Sequence, residues 1–162
     1  MKTKTATWPF FYGWLVSVTA GVALFGIGMV AAPELTRHAF SLLAYSTPSR
    51  IDGFGDNAVA YAGLTHAVIG AVMFGWGIAL LWTLAGPFRR GSRDAWLMIA
   101  VSIAAWFIPD TCYSLWSGFP SNALLNVALG TLFAIPLAGT YSSFGKKGAR
   151  PSGAATEAGD GR

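Results

Sequence analysis

The sequence predicts an all-α protein, a four-helix transmembrane bundle with a short interfacial helix in the first loop outside the membrane. Three observations support this fold class. The chain is 54% hydrophobic and only 11% charged, whereas a soluble domain has about 25% charged residues. Four segments are long and apolar enough to cross the hydrocarbon core, which takes roughly 20 helical residues. Most basic residues lie in segments that these crossings place on one side of the membrane.

The first span is predicted over residues 11–32, "FYGWLVSVTAGVALFGIGMVAA". Lys2 and Lys4 precede it, and the "VAAP" at its end is similar to a signal-peptide cleavage site. We interpret the segment as a span, because its apolar stretch is longer than that of a signal peptide and Pro33 follows the small residues.

The first loop, about residues 33–57, is long for a helix bundle. Its first half, "PELTRHAFSLLAYS", begins with a proline and an acid, which is typical of a helix start. We therefore predict an interfacial helix that lies over the outer mouth of the bundle. The second half, "TPSRIDGFGDN", is a turn-rich loop. The apolar face of the predicted helix consists of Leu35, Ala39, Leu42 and Leu43.

The second and fourth spans are continuous apolar segments, predicted over residues 58–82 and about 122–141. The tail that follows, residues 145–162, is small and polar, and we expect it to be disordered. The chain is therefore expected to consist of one membrane domain, residues 1–144, and a short tail.

The third span raises the question of where Asp110 lies, since it is the only charged residue between the start of that span and the tail. The apolar stretch 95–108 has 14 residues, too few to cross unaided, whereas 95–116 has 22. Proline is tolerated in a transmembrane helix when neighbours satisfy the freed carbonyl. We therefore predict a span through Pro109, with Asp110 roughly 9 Å inside its outer end. The alternative is a short helix that stops at Pro109 and leaves Asp110 among the headgroups.

The basic residues predict the orientation, because cytoplasmic segments carry an excess of Lys and Arg. Nine of the eleven lie before the first span, between the second and third, or after the fourth. Both termini are therefore expected in the cytoplasm and the first loop on the outer side. The nine are Lys2, Lys4, Arg89, Arg90, Arg93, Lys146, Lys147, Arg150 and Arg162, against Arg37 and Arg50 on the outer side.

His66 lies inside the second span, where an ionisable group is costly and needs an explanation. Gly63, Gly70 and Gly77 fall within roughly 60° of it around the helix. Small residues mark the face on which transmembrane helices approach closely, so we predict that these glycines are packing residues and that His66 faces the interior. Its depth, about 12 Å from the outer end of the span, is similar to that of Asp110.

Other polar residues extend this pair into a predicted polar cluster that opens toward the outer side. Tyr113 and Ser114 follow Asp110 by three and four positions, which are neighbouring positions on a helix. Asn122 and Asn126 repeat that spacing at the outer start of the fourth span. The predicted ligand-binding or polar cluster comprises His66, Asp110, Tyr113, Ser114, Asn122 and Asn126.

Each member also has a purely structural interpretation. His66 is equally consistent with a neutral histidine satisfied by a carbonyl or hydroxyl of a neighbouring helix. Asp110 is also consistent with a hydrogen-bond acceptor, or a partner of Arg37 or Arg50, that ties the third span to the outer loop. Asn122 is also consistent with a helix cap, and Tyr113 is also consistent with an aromatic residue at the membrane interface.

The architecture and two stretches of sequence resemble the DoxX-like group. These stretches are the glycine-rich first span, which ends in "AAPE", and "AGLTHAVIGAVMFGWGIALL" in the second span. Members of the group are small four-helix membrane proteins of bacteria, some of them linked to quinone or thiol redox chemistry. The resemblance covers roughly residues 10–143 and implies a location in the bacterial cytoplasmic membrane. Cys112 is the only cysteine, so the paired thiol that thiol redox chemistry uses is missing.

We expect a non-enzymatic integral membrane protein, either an accessory subunit or a binder of a small ligand in the outer-side polar pocket. One alternative is a membrane redox subunit that uses His66 and Asp110 on a lipid-soluble substrate such as a quinone, since His/Asp pairs move protons. Another is a small transporter or proton path, for which four spans give little room without oligomerisation. The expected partners are the lipid bilayer and either a larger membrane complex or further copies of the chain.

No sequence pattern indicates a soluble enzyme, a metal site or a nucleic-acid partner. The net charge is +4, but the basic residues lie near the ends of apolar segments and form no patch. There is no glycine-rich phosphate loop and no Cys/His metal spacing. No cofactor and no metal are therefore predicted, and a quinone is expected only under the redox alternative.

Overall fold

The computed structural model describes residues 6–144, of which 91% are helical, with no strand among them. A 3₁₀ helix, Pro48–Phe54, precedes the third α-helix, and a π-helical turn, Leu84–Phe88, follows it. The described part of the chain ends with a 3₁₀ turn, Tyr141–Phe144. The α-helices of the described residues are α1 (Trp8–Ala31), α2 (Pro33–Tyr45), α3 (Asp56–Thr83), α4 (Arg93–Trp116) and α5 (Pro120–Thr140).

Four of the helices are long and apolar enough to cross a membrane, and they confirm the predicted all-α bundle. With their helical extensions they cover Trp8–Ala31, Asp56–Phe88, Arg93–Trp116 and Pro120–Phe144. The chain is a small integral membrane protein. The tail predicted to be disordered, residues 145–162, lies outside the described residues.

Consecutive spans are the main packing partners in the bundle. α3 packs most extensively on α1, and α5 packs on α4, while α1 also contacts α5 and joins the two pairs. We call the end of the bundle that carries α2 the loop end, and the opposite end, which carries Arg89, Arg90 and Arg93, the basic end. The apolar core lies from the basic end to the middle of the bundle and includes Leu15, Val22, Leu80, Leu84, Phe88, Ile99, Ile103, Phe133 and Leu137.

Glycines let α1 and α3 approach closely. A Cβ on Gly70 would lie 2.5 Å from the carbonyl oxygen of Gly26, and a Cβ on Gly77 would lie 2.8 Å from the Cβ of Ala23. Both distances are too short for a real side chain, so only glycine permits this packing. A Cβ on Gly63 would meet nothing within 4 Å, because α1 ends before it reaches the level of Gly63. The expected packing role is therefore seen at Gly70 and Gly77 and not at Gly63.

The predicted interfacial helix is formed by α2, but its leucine face does not cover the bundle. Leu35 is 72% exposed and Leu42 is 51% exposed. The opposite side packs on the protein: Phe40 stacks on a ring of α3, and Ser41 Oγ donates to the carbonyl of Thr47 at 2.8 Å. The exposed leucines suit a helix that lies at the rim, with its apolar face toward the acyl boundary of the bilayer.

The third span continues through its proline, as the length argument predicts. α4 starts after Ser92, whose hydroxyl accepts from the backbone N–H of Ala95 at 3.3 Å, and it ends at Trp116 with Pro109 inside it. Asp110 therefore lies within the helix, six residues before its end, and not in a loop. At 1.5 Å per residue this is roughly 9 Å from the helix end.

α3 and α4 meet mainly through tryptophan side chains. Trp76 Nε1 donates to Ser102 Oγ at 2.6 Å, and the ring of Trp76 lies 6.3 Å from that of Trp106, centroid to centroid. Large rings at this seam keep the two backbones apart, in contrast to the glycine contact between α1 and α3.

We expect Trp76→Phe to lower the free energy of unfolding by about 1 kcal/mol, because it removes the hydrogen bond to Ser102 and keeps most of the ring. Denaturation by sodium dodecyl sulfate in mixed micelles, followed by circular dichroism, measures this change. Trp82→Phe is the matched control on the same helix, since Trp82 is 81% exposed. Equal unfolding midpoints for the two variants would show that this bond does not hold α3 to α4.

Candidate functional site

Three polar side chains at the loop end form a hydrogen-bonded group between α4 and α5. Asn122 Nδ2 donates to Asp110 Oδ1 at 3.2 Å and to Ser114 Oγ at 2.7 Å. Ser114 Oγ donates to the carbonyl oxygen of Asp110 at 2.7 Å and lies 3.3 Å from its Oδ1. We call Asp110, Ser114 and Asn122 the loop-end polar cluster. Ser114 is buried, and the other two are partly buried.

The local sequence explains why these three residues meet. Asp110 and Ser114 are four residues apart and so share one face of α4. The connection to α5 is only three residues long, and Gly118 adopts a left-handed conformation there, with φ +81°. This tight turn places the first turn of α5 against the last turns of α4. Asn122 lies inside α5, whose N-cap is Phe119, so it links the helices and does not cap one.

His66 is not part of this cluster. Its ring stacks on Phe40 of α2, with centroids 4.7 Å apart. Its Nδ1 is buried without a hydrogen-bond partner. The predicted pair of His66 and Asp110 is not formed: Asp110 bonds to α5, while α3 packs on α1 and α2.

Tyr113 also lies outside the cluster, although it follows Asp110 by three residues. It is 65% exposed, and its ring makes an edge contact with Trp116 at 6.4 Å. This is the environment of an interface aromatic at the end of a span.

Asn126 lies one turn deeper than Asn122 and is only 3% exposed. Its Nδ2 is buried and has no hydrogen-bond partner. A buried amide donor without a partner is rare in a native protein, since it costs free energy that water would otherwise offset. Asn126 belongs to the predicted polar cluster. In the structure it lies beneath the loop-end polar cluster and forms no hydrogen bond with it.

Thr111 is a residue that the sequence did not single out. Its Oγ1 is buried and has no partner, although threonines of the other helices bond to the carbonyl four residues earlier. Thr65 bonds to Tyr61 in this way at 2.9 Å, and Thr131 bonds to Val127 at 2.7 Å. The only sequence signal was its position next to Asp110. Three helices therefore each carry a buried, unpaired polar atom in the loop-end half: His66 Nδ1, Thr111 Oγ1 and Asn126 Nδ2.

Arg37 and His38 of the first loop pair with Asp52 and not with Asp110, and Arg50 forms no ion pair within residues 6–144. Arg37 lies 3.4 Å from Asp52, and His38 Nε2 lies 3.1 Å from the other carboxylate oxygen of Asp52. These pairs tie α2 to the 3₁₀ helix that follows it. Asp52 is half-exposed, so the pairs contribute little to stability.

Within residues 6–144, no group of three or more His, Cys, Asp or Glu side chains could hold a metal ion. Cys112 is exposed and free. Comparison of the chain with family models, with curated proteins and with solved structures finds no match.

Proposed function

We propose that this chain is a non-enzymatic membrane protein that binds a small ligand, or the polar head of an amphiphilic one, in the loop-end half of the bundle. The observation behind the proposal is the buried and unpaired Nδ2 of Asn126, which lies one helical turn deeper than Asn122, the residue that bonds to Asp110 inside a transmembrane helix. Ionisable and unsatisfied groups at this depth are costly, and a ligand that bonds to them would offset that cost.

The donors and acceptors define the chemistry of such a ligand. Asn126 Nδ2 is a donor and needs an acceptor, whereas Thr111 Oγ1 both donates and accepts. Asp110 Oδ2 takes part in none of the bonds found among the described residues, so it offers free acceptor capacity. Asp110 also has no basic partner in residues 6–144. A neutral or cationic group that carries both a donor and an acceptor matches this set.

The redox alternative, a quinone-linked subunit, depended on a proton-carrying pair of His66 and Asp110. Because these residues have separate partners, the binding role has the better structural support. An accessory role in a larger membrane complex or a homo-oligomer is compatible with the same site. We further propose, from the distribution of basic residues, that both termini are cytoplasmic. The resemblance to the DoxX-like group supports a bacterial cytoplasmic membrane.

The variant Asn126→Leu tests the binding role. In the ligand-free protein it should raise the free energy of unfolding by about 1 kcal/mol, because it removes an unpaired buried donor and keeps the number of heavy atoms in the side chain. It should also abolish binding of the ligand. The protein is purified in mild detergent, and its small-molecule extract is compared by mass spectrometry with that of the wild-type protein.

Asn57→Leu is the matched control, since Asn57 lies exposed at the start of α3. We expect its extract to equal that of the wild-type protein. The proposed binding role is wrong if the extracts of all three proteins are identical. It is also wrong if Asn126→Leu is less stable than the wild-type protein, which is the result expected if a structural water satisfies Asn126.

A further inference from the structure

A groove of about 670 Å³ runs along the seam between α4 and α5. Its walls are apolar and contain several small residues. The volume lies within the range of small-molecule sites, about 300–1,000 Å³. The residues that line it include Trp96, Ala104, Phe107, Gly130, Ala134 and Tyr141.

The groove is shorter than the hydrocarbon core of a bilayer. It extends along α4 from Trp96 to Phe107, which is about 16 Å at the rise of an α-helix. On α5 it extends from Val127 to Tyr141, about 21 Å, so the groove covers roughly 16 to 21 Å of a hydrocarbon core that is about 30 Å thick. Toward the loop end the lining reaches Phe107 on α4 and Val127 on α5, and the ring of Phe107 packs so closely over α5 that a Cβ on Gly130 would lie 3.1 Å from it.

The other end of the groove lies at the basic end of the bundle, beside Trp96 and Tyr141. There the rings of Trp96 and Tyr141 make an edge contact at 5.2 Å, as is typical of aromatics at headgroup level. Arg93, the first residue of α4, precedes Ala100 by seven and Ala104 by eleven positions, so it lies on the groove face. Arg93 is exposed and forms no ion pair within residues 6–144.

The local charge favours an anion. Arg89, Arg90 and Arg93 lie within five residues of one another, and Asp94 is the one acidic residue beside them. Basic residues at this depth attract anionic headgroups at about 1 kcal/mol each.

We propose that this groove is a specific site for an anionic phospholipid, independent of the loop-end ligand. One acyl chain lies between α4 and α5, from Trp96 to Phe107, and the phosphate lies at Arg93. A helix from a second copy of the chain fits less well, because it would continue across the whole membrane, whereas the groove covers only about 16 to 21 Å of it.

The experiment uses nanodiscs of equimolar phosphatidylglycerol and phosphatidylcholine with the same acyl chains. The full-length protein is released into mild detergent, and native mass spectrometry records the lipids that stay bound and the number of protein copies. We expect monomers that retain phosphatidylglycerol about fivefold more often than phosphatidylcholine.

Two variants distinguish the contribution of the acyl chain to lipid binding from that of the headgroup. Ala134→Leu fills the groove and should remove the retained lipid of either kind. Arg93→Gln should keep the lipid and reduce the headgroup preference to about one. The controls are Ala71→Leu, on the exposed surface of α3, and Arg50→Gln, at the loop end; both should behave as the wild-type protein. Circular dichroism verifies that each variant is folded.

Three results would overturn the proposal. The first is that the wild-type protein retains no lipid, or that Ala134→Leu and Ala71→Leu lose the lipid to the same extent. The second is a headgroup preference that survives in Arg93→Gln. The third is a dimer that Ala134→Leu disrupts, which would assign the groove to a second copy of the chain. None of these results depends on Asn126, so the loop-end proposal is tested separately.

Discussion

Replacing Phe133 by alanine should lower the free energy of unfolding by about 3 kcal/mol. Phe133 is completely buried and lies where α5 faces the interior, with its ring 6.4 Å from that of Trp76, centroid to centroid. In a bilayer the lipid is as apolar as the core, so burial itself contributes little. The loss comes from dispersion contacts, because a cavity beside Trp76 leaves its ring without partner atoms on one side.

The test is denaturation by sodium dodecyl sulfate, with Leu124→Ala as the matched control. Leu124 belongs to the same helix and is 71% exposed, so its truncation leaves no internal cavity and should change the free energy of unfolding by less than about 0.5 kcal/mol. If both truncations cost the same, packing around Phe133 does not hold the bundle together.

Replacing Gly70 by alanine is the second large effect, with an expected loss of about 2 kcal/mol. The new Cβ would lie 2.5 Å from the carbonyl oxygen of Gly26 and 2.6 Å from the Cβ of Met29. Neither atom is the end of a flexible side chain, so α1 and α3 must separate. Their separation weakens the most extensive contact of the bundle along its whole length.

Gly75→Ala is the control for this substitution. Gly75 lies on the same helix, but a Cβ there meets nothing within 4 Å, and alanine is the better helix former. We therefore expect Gly75→Ala to be neutral or slightly stabilising under the same denaturation. A Gly70→Ala protein as stable as Gly75→Ala would mean that the two helices are not in close contact at Gly70.

The spans could be predicted from the sequence because the bilayer imposes a length. Segment 95–108 is too short to cross, and this alone indicated that the helix continues through Pro109. The interfacial helix followed from a proline and an acid at its start and from a leucine face. The direction of that face could not be predicted. Periodicity shows that Leu35 and Leu42 lie on the same side of the helix, but it does not show what that side contacts.

The site was less predictable, because depth along a helix does not say which neighbour a side chain meets. His66 and Asp110 lie in the same half of the bundle, yet the helix neighbours decide their partners. α3 packs on α1 and α2, so His66 contacts Phe40. The contact of Asp110 with Asn122 follows from the short turn at Gly118, which was visible in the sequence only as "SGFP".

The α4–α5 groove has no signature in the sequence. Alanines and glycines are frequent throughout the chain, and only the packing of Trp96 and Phe107 across the seam leaves an open space between them. Thr111 escaped notice for a similar reason, since a threonine in a helix normally bonds to its own backbone.

The pairing of consecutive spans has a consequence for biosynthesis. Once the chain up to residue 92 has emerged from the ribosome, α1 and α3 can leave the translocon as a closed hairpin, because their main contacts lie within the part that has emerged. The second hairpin carries the embedded carboxylate, and its amide partner emerges only 12 residues after Asp110. The nascent chain therefore exposes this side chain to lipid only briefly before α5 arrives to shield it.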